Sequence, residues 1–190
     1  MAFRRMTAIV LTTERLVLRQ IGEADLDAHM ALLNTPAVMH HLGGVQPRGV
    51  IAAKHEASRA SFAAEGFGFM LAEERATGEI VAHCGLRRIA HPLAPNPQDH
   101  EIGWVVREDR WRKGYAHEAM RAVVDWGFGV IGLPLLVAVT CEANIGSWRL
   151  MTKLGMTRRP ELDFDDPALG PDESPLIQYA ITKAQWEALK

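Results

Sequence analysis

Between Glu101 and Ala119 the sequence passes from an apolar run through a basic turn into a helical pattern, and this unit constrains the fold more than any other stretch. Glu101-Ile102-Gly103-Trp104-Val105-Val106 reads as a strand with a glycine inside it, and such a glycine marks a bulge or a close backbone approach. The turn that follows holds Arg107, Arg110, Arg112, Lys113 and Gly114; beyond it Ala116, Met120, Val123, Val124 and Gly127 keep helical spacing. A helix that starts there presents unpaired N–H groups and the positive end of its dipole, a ready site for an anion. Gly114 permits close backbone approach, small Ala116 keeps the entrance open, and Arg112 and Lys113 add charge. Phosphate or pyrophosphate is the anion that suits such a cradle.

The rest of the chain supplies a mixed set of elements. Leu16-Val17-Leu18 reads as a first strand, entered from a ragged N-terminus over Met1 to Leu11 that lacks the apolar length of a signal peptide. Helices are expected over Glu23–Leu33 and Val50–Ala64, the second closed by Gly66. Strands Phe67–Ala72 and Ile80–Ile89 meet at Thr77-Gly78, followed by an irregular loop with Pro92, Pro95, Asn96 and Pro97. Then come a strand over Leu135–Val139, a helix over Asn144–Leu154 stopped by Gly155, and two last strands, from Thr157 and over Leu176–Ile181. Hairpins mixed with a strand–helix–strand–helix unit define an α+β (mixed α/β) class, and 190 residues without a linker or repeat predict a single domain over 1–190.

Composition removes several functions. Lys and Arg total 21 against 23 Asp and Glu, a net charge of -2, which argues against a surface built for nucleic acid. No segment approaches the roughly 18 uninterrupted apolar residues of a membrane span. Cys84 and Cys141 lie in apolar runs, so core positions, a reducing compartment and a cytoplasmic location are expected. The eight histidines and two cysteines show no ligand spacing, so no metal is expected. Gly127-Phe128-Gly129-Val130-Ile131-Gly132 fits G-x-G-x-x-G but follows a helix and precedes a strand, the reverse of a dinucleotide site. The five tryptophans are scattered, which suits core packing better than a base-stacking platform.

Glu101-Ile102-Gly103-Trp104 followed by Trp111-Arg112-Lys113-Gly114-Tyr115-Ala116 resembles the acetyl-CoA motif of the GNAT N-acetyltransferase superfamily. Asn144-Ile145-Gly146-Ser147-Trp148-Arg149-Leu150-Met151-Thr152-Lys153-Leu154-Gly155-Met156 is similar to the N-x-x-S…K-x-G-[FM] helix of the branch that includes ribosomal-protein N-terminal acetyltransferases. Thr13-Glu14-Arg15-Leu16-Val17-Leu18-Arg19 matches that branch's first strand. The resemblance implies a central, mostly antiparallel twisted sheet of about seven strands with four or so flanking helices. It also implies acetyl-CoA as co-substrate, with the thioester carbonyl polarised by N–H groups of a bulged strand at Gly103 to Val106 and the pantetheine arm paired to that strand.

By the same resemblance Trp104, Val105, Val106, Arg107, Arg112, Lys113, Gly114, Tyr115, Ala116, Asn144 and Arg149 are expected to bind the coenzyme. Trp111 stands where many relatives carry Gln or Arg, which leaves Arg112, Lys113 and main-chain donors for the pyrophosphate. Met151 stands where other branches place a proton-donating tyrosine, and the resemblance points to Ser147, one helical turn earlier, as the leaving thiolate's partner. Glu101 is the candidate general base, with the alternative that it only pairs with Arg87, Arg88 or His100; His100 and His83 are lesser candidates. An α-amine, at a pKa of about 7.7–8.0 against about 10.4 for lysine, needs little help from a base. The expected activity is acetyl transfer to a peptide N-terminus or small amine by direct attack in a ternary complex; the alternative is a non-catalytic acyl-CoA-binding domain on the same scaffold. From Glu161 to Glu173 six carboxylates run without Lys or Arg, which predicts an acidic mouth and an acceptor that is cationic before reaction. A homodimer is the expected assembly, as is common among relatives.

Overall fold

The computed structural model describes residues 7–190, so the first six residues of the expected ragged N-terminus lie outside the described region. Strands β1 (Ile9–Thr12), β2 (Leu16–Arg19), β3 (Phe69–Glu74), β4 (Ile80–Arg88) and β5 (His100–Val106) form an antiparallel meander. Strand β6 (Leu135–Cys141) joins β5 in parallel, and β8 (Leu176–Thr182) and β7 (Thr157–Arg158) extend the sheet antiparallel beyond it. The order is β1-β2-β3-β4-β5-β6-β8-β7. The helices are α1 (Leu26–Leu32), α2 (Arg48–Glu65), α3 (Tyr115–Gly129), α4 (Ile145–Lys153) and α5 (Lys183–Glu187).

The additions to the expected set have local causes. Ile9-Val10-Leu11, expected within the ragged N-terminus, pairs with β2 as an edge strand. α5 begins at a capping box, Thr182 with Gln185, a signal the sequence carries. No helix among the described residues is long and apolar enough to cross a membrane.

Strand periodicity of two decides which side chains meet which helices. Ile102, Val106, Cys84 and Leu86 turn to one face, where Ala119, Met120, Val123 and Val124 of α3 complete the main core. Leu71 turns to the other face and packs with Ile21 and Leu33 beside α1. Glu101, Gly103 and Val105 share that second face with their partners Arg87, Gly85 and His83. Cys84 and Cys141 are buried, and burial pushes the Cys84 thiol up to about 12, which makes it inert as a nucleophile.

The bulge expected in β5 is absent: its register with β4 runs unbroken from Ala82↔Val106 to Arg88↔His100. Close approach explains the glycines instead. A Cβ on Gly103 would come within 2.9 Å of Phe69 Cζ; on Gly85 it would sit 2.4 Å from Gly68 O and 2.6 Å from Phe69 Cα. Backbone cannot move aside as a side-chain tip can. Gly85→Ala should therefore destabilise the fold by about 3 kcal/mol, whereas Gly129→Ala, which faces open space, should change stability by about 1 kcal/mol or less. Urea midpoints of the two variants check this; equal midpoints would contradict the close-contact account.

Parallel pairing of β5 with β6 is limited to one rung, Glu101↔Val137. Beyond it the strands part, and the β5 edge from Gly103 to Val106 that faces β6 carries no ladder.

Candidate active site

The parting of β5 and β6 opens a cleft of about 1300 Å³ that runs between the glycine turn, α4 and the face carrying Glu101. Gly114, at φ 84, is the N-cap residue of α3 and has no side chain to cap it. Among the described residues the first-turn N–H groups of Tyr115, Ala116 and His117 find no acceptor. Arg112 in the same turn holds a left-handed φ of 60, the one non-glycine residue among those described to do so. Such conformations cost energy and persist where the surroundings impose them.

What imposes this turn comes from the first strand pair. Glu118, in the first turn of α3, accepts from Thr13 Oγ1 at 2.6 Å, Arg15 N at 2.8 Å and Arg15 Nε at 2.6 Å. Burial opposes the Glu118 charge, yet these donors hold its carboxyl below the usual range. Arg15 also donates to Lys113 O at 3.0 Å and lies over the Tyr115 ring. Thr13-Glu14-Arg15 thus anchors the cradle from a distant part of the chain. Arg19, four residues on, is buried and bound by Asp25 at 2.7 Å and Glu73 at 2.6 Å.

Trp104, Val105, Val106, Arg112, Gly114, Tyr115, Ala116, Asn144, Ser147, Arg149 and Glu101 all line the cleft. Arg107 and Lys113, both expected coenzyme contacts, do not: the Arg107 guanidinium is held by Asp109 at 3.0 Å, and Lys113 Nζ donates to Asp109 O at 2.9 Å. Trp111 is 43% exposed and donates its indole N–H to Val106 O at 2.7 Å, so it braces the turn against β5 and is no core residue. In α4, Asn144 is the N-cap and its side chain accepts from Ser147 N at 3.2 Å. Met151 is buried at the cleft wall, and Ser147 lies one turn before it.

Glu101 is buried, and Arg87 donates Nε and Nη2 to its Oε2, each at 2.9 Å. Its other carboxylate oxygen has no protein partner among the described residues. Of the alternative partners, Arg88 binds Glu65 at 2.8 Å, and His100 packs edge-on against Phe67 and does not line the cleft. His83 does line it, and its Nε2 is buried without a hydrogen-bond partner.

Two features escape sequence reading. His29 of α1 and His55 of α2 are buried and share a 2.9 Å hydrogen bond, and the His83 ring stands 4.9 Å from that of His29. Burial, then the charges of His55 and Lys54, lowers the His29 pKa to about 4, so the cluster is neutral at pH 7. Among the described residues no group of three or more His, Cys, Asp or Glu is arranged to hold a metal ion. Lys54 also reaches the cleft; its spacing to Ile51, Ser58 and Ser61 on α2 was the available signal for a polar wall on that helix.

The acidic mouth expected from Glu161 to Glu173 is not formed. Asp163 is bound by Arg158 and Glu161 by Arg159 at 2.6 Å, and Asp166 meets His91 at 2.9 Å. None of residues 161–173 lines the cleft. Half of the run's carboxylates are thus paired with nearby cations or His91, and Glu173 accepts from Gly43 N at 2.9 Å.

A mixed sheet parted at one rung, with an uncapped glycine-started helix and an asparagine-capped helix facing the gap, is in keeping with the acyl-group transferase that the sequence resemblance implies. Residues 15–157 match the acetyltransferase (GNAT) domain, and the chain belongs to that family. It is an acetyl-CoA-dependent N-acetyltransferase. The uncharacterized N-acetyltransferase YoaA of Bacillus subtilis (strain 168) is 31% identical over 158 residues, 78% of this chain and 83% of its own. YnaD of the same organism, also an uncharacterized N-acetyltransferase, is 30% identical over 183 residues, 93% of this chain and 98% of its own. The crystal structure of an acetyltransferase from Agrobacterium tumefaciens str. C58 superposes with a TM-score of 0.75 at 27% identity, covering 96% of this chain and 98% of that one.

Proposed function

We propose that the enzyme passes the acetyl group directly to a primary amine, a peptide N-terminus or a small amine, in a ternary complex held in this cleft. One observation carries the reading: β5 leaves β6 after a single rung, so an unpaired strand edge lies in the cleft that Glu101 and Ser147 both line. We take residues 1–190 as one domain, since one sheet runs through strands from Ile9 to Thr182.

Acetyl-CoA supplies the acyl group as a thioester. The free N–H groups at the start of α3, with Arg112 and Arg149, suit its phosphates. The β5 edge offers N–H groups to polarise the carbonyl. Attack forms the nitrogen–carbon bond and breaks the carbon–sulfur bond. The proton lost by the amine passes to the free oxygen of Glu101, directly or through one water, while Arg87 fixes the other oxygen. Ser147 Oγ–H donates to the departing sulfur; a thiol with a pKa near 8.5 leaves readily, so a hydrogen bond suffices.

Release of free thiol from acetyl-CoA in the presence of a panel of primary amines tests the reading. Coenzyme binding without release from any amine would favour the non-catalytic alternative. Ser147→Ala should lower kcat about tenfold and leave the Kd for acetyl-CoA within about twofold, because its hydrogen bond strengthens only as the thiolate develops. An equal effect on both quantities would make Ser147 a binding residue only.

A further inference from the structure

Among the described residues Glu101 is the one carboxylate that lines the cleft, and the cations around it fall into two groups. Arg110, Arg112, Arg149 and Lys153 lie on the side of α3 and α4, where the coenzyme's phosphates account for positive charge. Lys54, Arg87 and Arg88 lie on the opposite side, on α2 and β4, where no phosphate is expected; Arg88 is held by Glu65 at 2.8 Å.

Lys54 and Arg87 are close enough that the Arg87 charge, after desolvation, lowers the Lys54 pKa. Arg87 has Glu101 as partner, whereas Lys54 has no hydrogen bond or ion pair among the described residues. The imidazoles nearby add no negative charge: burial, then its neighbours His29, His55, Arg87 and Lys54, keeps His83 well below the ordinary histidine value. In the acidic run, Glu161, Asp163 and Asp166 are held by Arg159, Arg158 and His91, and none of residues 161–173 lines the cleft. Two cations, Lys54 and Arg87, thus line this side of the cleft against one carboxylate, and an anion seated between them would relieve their repulsion.

We propose that the acceptor bears a carboxylate close to its amine, that Lys54 and Arg87 recognise this carboxylate, and that Glu101 faces the amine. The proposal rests on the transfer reading above and reverses the cationic acceptor expected from the acidic run. A free amino acid and a peptide with an acidic first residue present the same chemistry.

The test compares acceptors matched in size that differ in charge, with kcat/KM referred to the unprotonated amine in each case: L-alanine with L-alaninamide, and Asp-Ala amide with Asn-Ala amide. The carboxylate member of at least one pair should show a kcat/KM about tenfold higher or more, the size of a hydrogen-bonded charge contact. Whichever pair shows it identifies the free amino acid or the peptide. Lys54→Gln should bring that ratio close to one, and Lys54→Arg should restore most of it. Independently of turnover, N-acetyl-L-alanine and N-acetyl-L-aspartyl amide should bind the coenzyme A complex more tightly than their carboxamide counterparts, followed by tryptophan fluorescence. Equal binding and equal kcat/KM within both pairs would overturn the proposal. A binding preference that depends on Lys54, without transfer to any amine, would uphold the anion site and overturn the transfer reading.

Discussion

Gly114→Glu should abolish acetyl-CoA binding, a loss on the order of 100-fold or more, while the protein stays folded. Two effects act together. Gly114 sits at φ 84, where a side chain is strained by about 1–2 kcal/mol. The new carboxylate would also stand at the free N–H groups of Tyr115 and Ala116, the donors an incoming phosphate needs. A Cβ there would come within 3.3 Å of Arg15 Nη2, a tight contact that a shift of a few tenths of an ångström at that side-chain tip relieves. Gly114→Ala carries the strain without the charge, so calorimetric titration of both variants separates the two effects, and circular dichroism checks the fold. If folded Gly114→Glu binds acetyl-CoA as the parent does, the phosphate site lies elsewhere.

Glu101→Gln should lower kcat about 100-fold, the usual range for removing a general base. Gln can still accept from Arg87, so the pairing that holds the strand end is kept. The deficit should be greatest at low pH, where more of the acceptor amine is protonated and must lose a proton. It should narrow as pH rises through the amine's own pKa. A kcat equal to that of the parent across the pH range, at saturating substrates, would leave Glu101 as a partner of Arg87 and nothing more.

The parts of this molecule written in consecutive residues were the legible ones. Alternation fixed β3 to β6, and the glycine stops at Gly66 and Gly155 both fall in left-handed conformations just past a helix. The strand–turn–helix unit around Gly114 was readable because its parts follow one another directly. Side-chain direction was not: Arg107 and Lys113 carry the right charge at the right spacing, yet Asp109 draws both away. The partners of the acidic run were no more legible: Arg158 and Arg159, just before it, bind Asp163 and Glu161, and His91 reaches Asp166 from another loop. His29, His55 and His83 come from α1, α2 and β4, and no spacing rule joins residues brought together only by packing.

The single rung between β5 and β6 has a mechanical meaning. A regular sheet spreads shear over many rungs; here two plates, β1 to β5 and β6 to β8, are joined in ladder pairing by one pin, Glu101 with Val137. The brace across the opening is α3, which lies so low on the sheet that a Cβ at Gly127 would be 3.2 Å from Leu136 on one plate and 3.8 Å from Leu86 on the other. The far end of that same brace is the glycine start at Gly114. A ligand that grips both the helix start and the open edge of β5 therefore bears on brace and pin together.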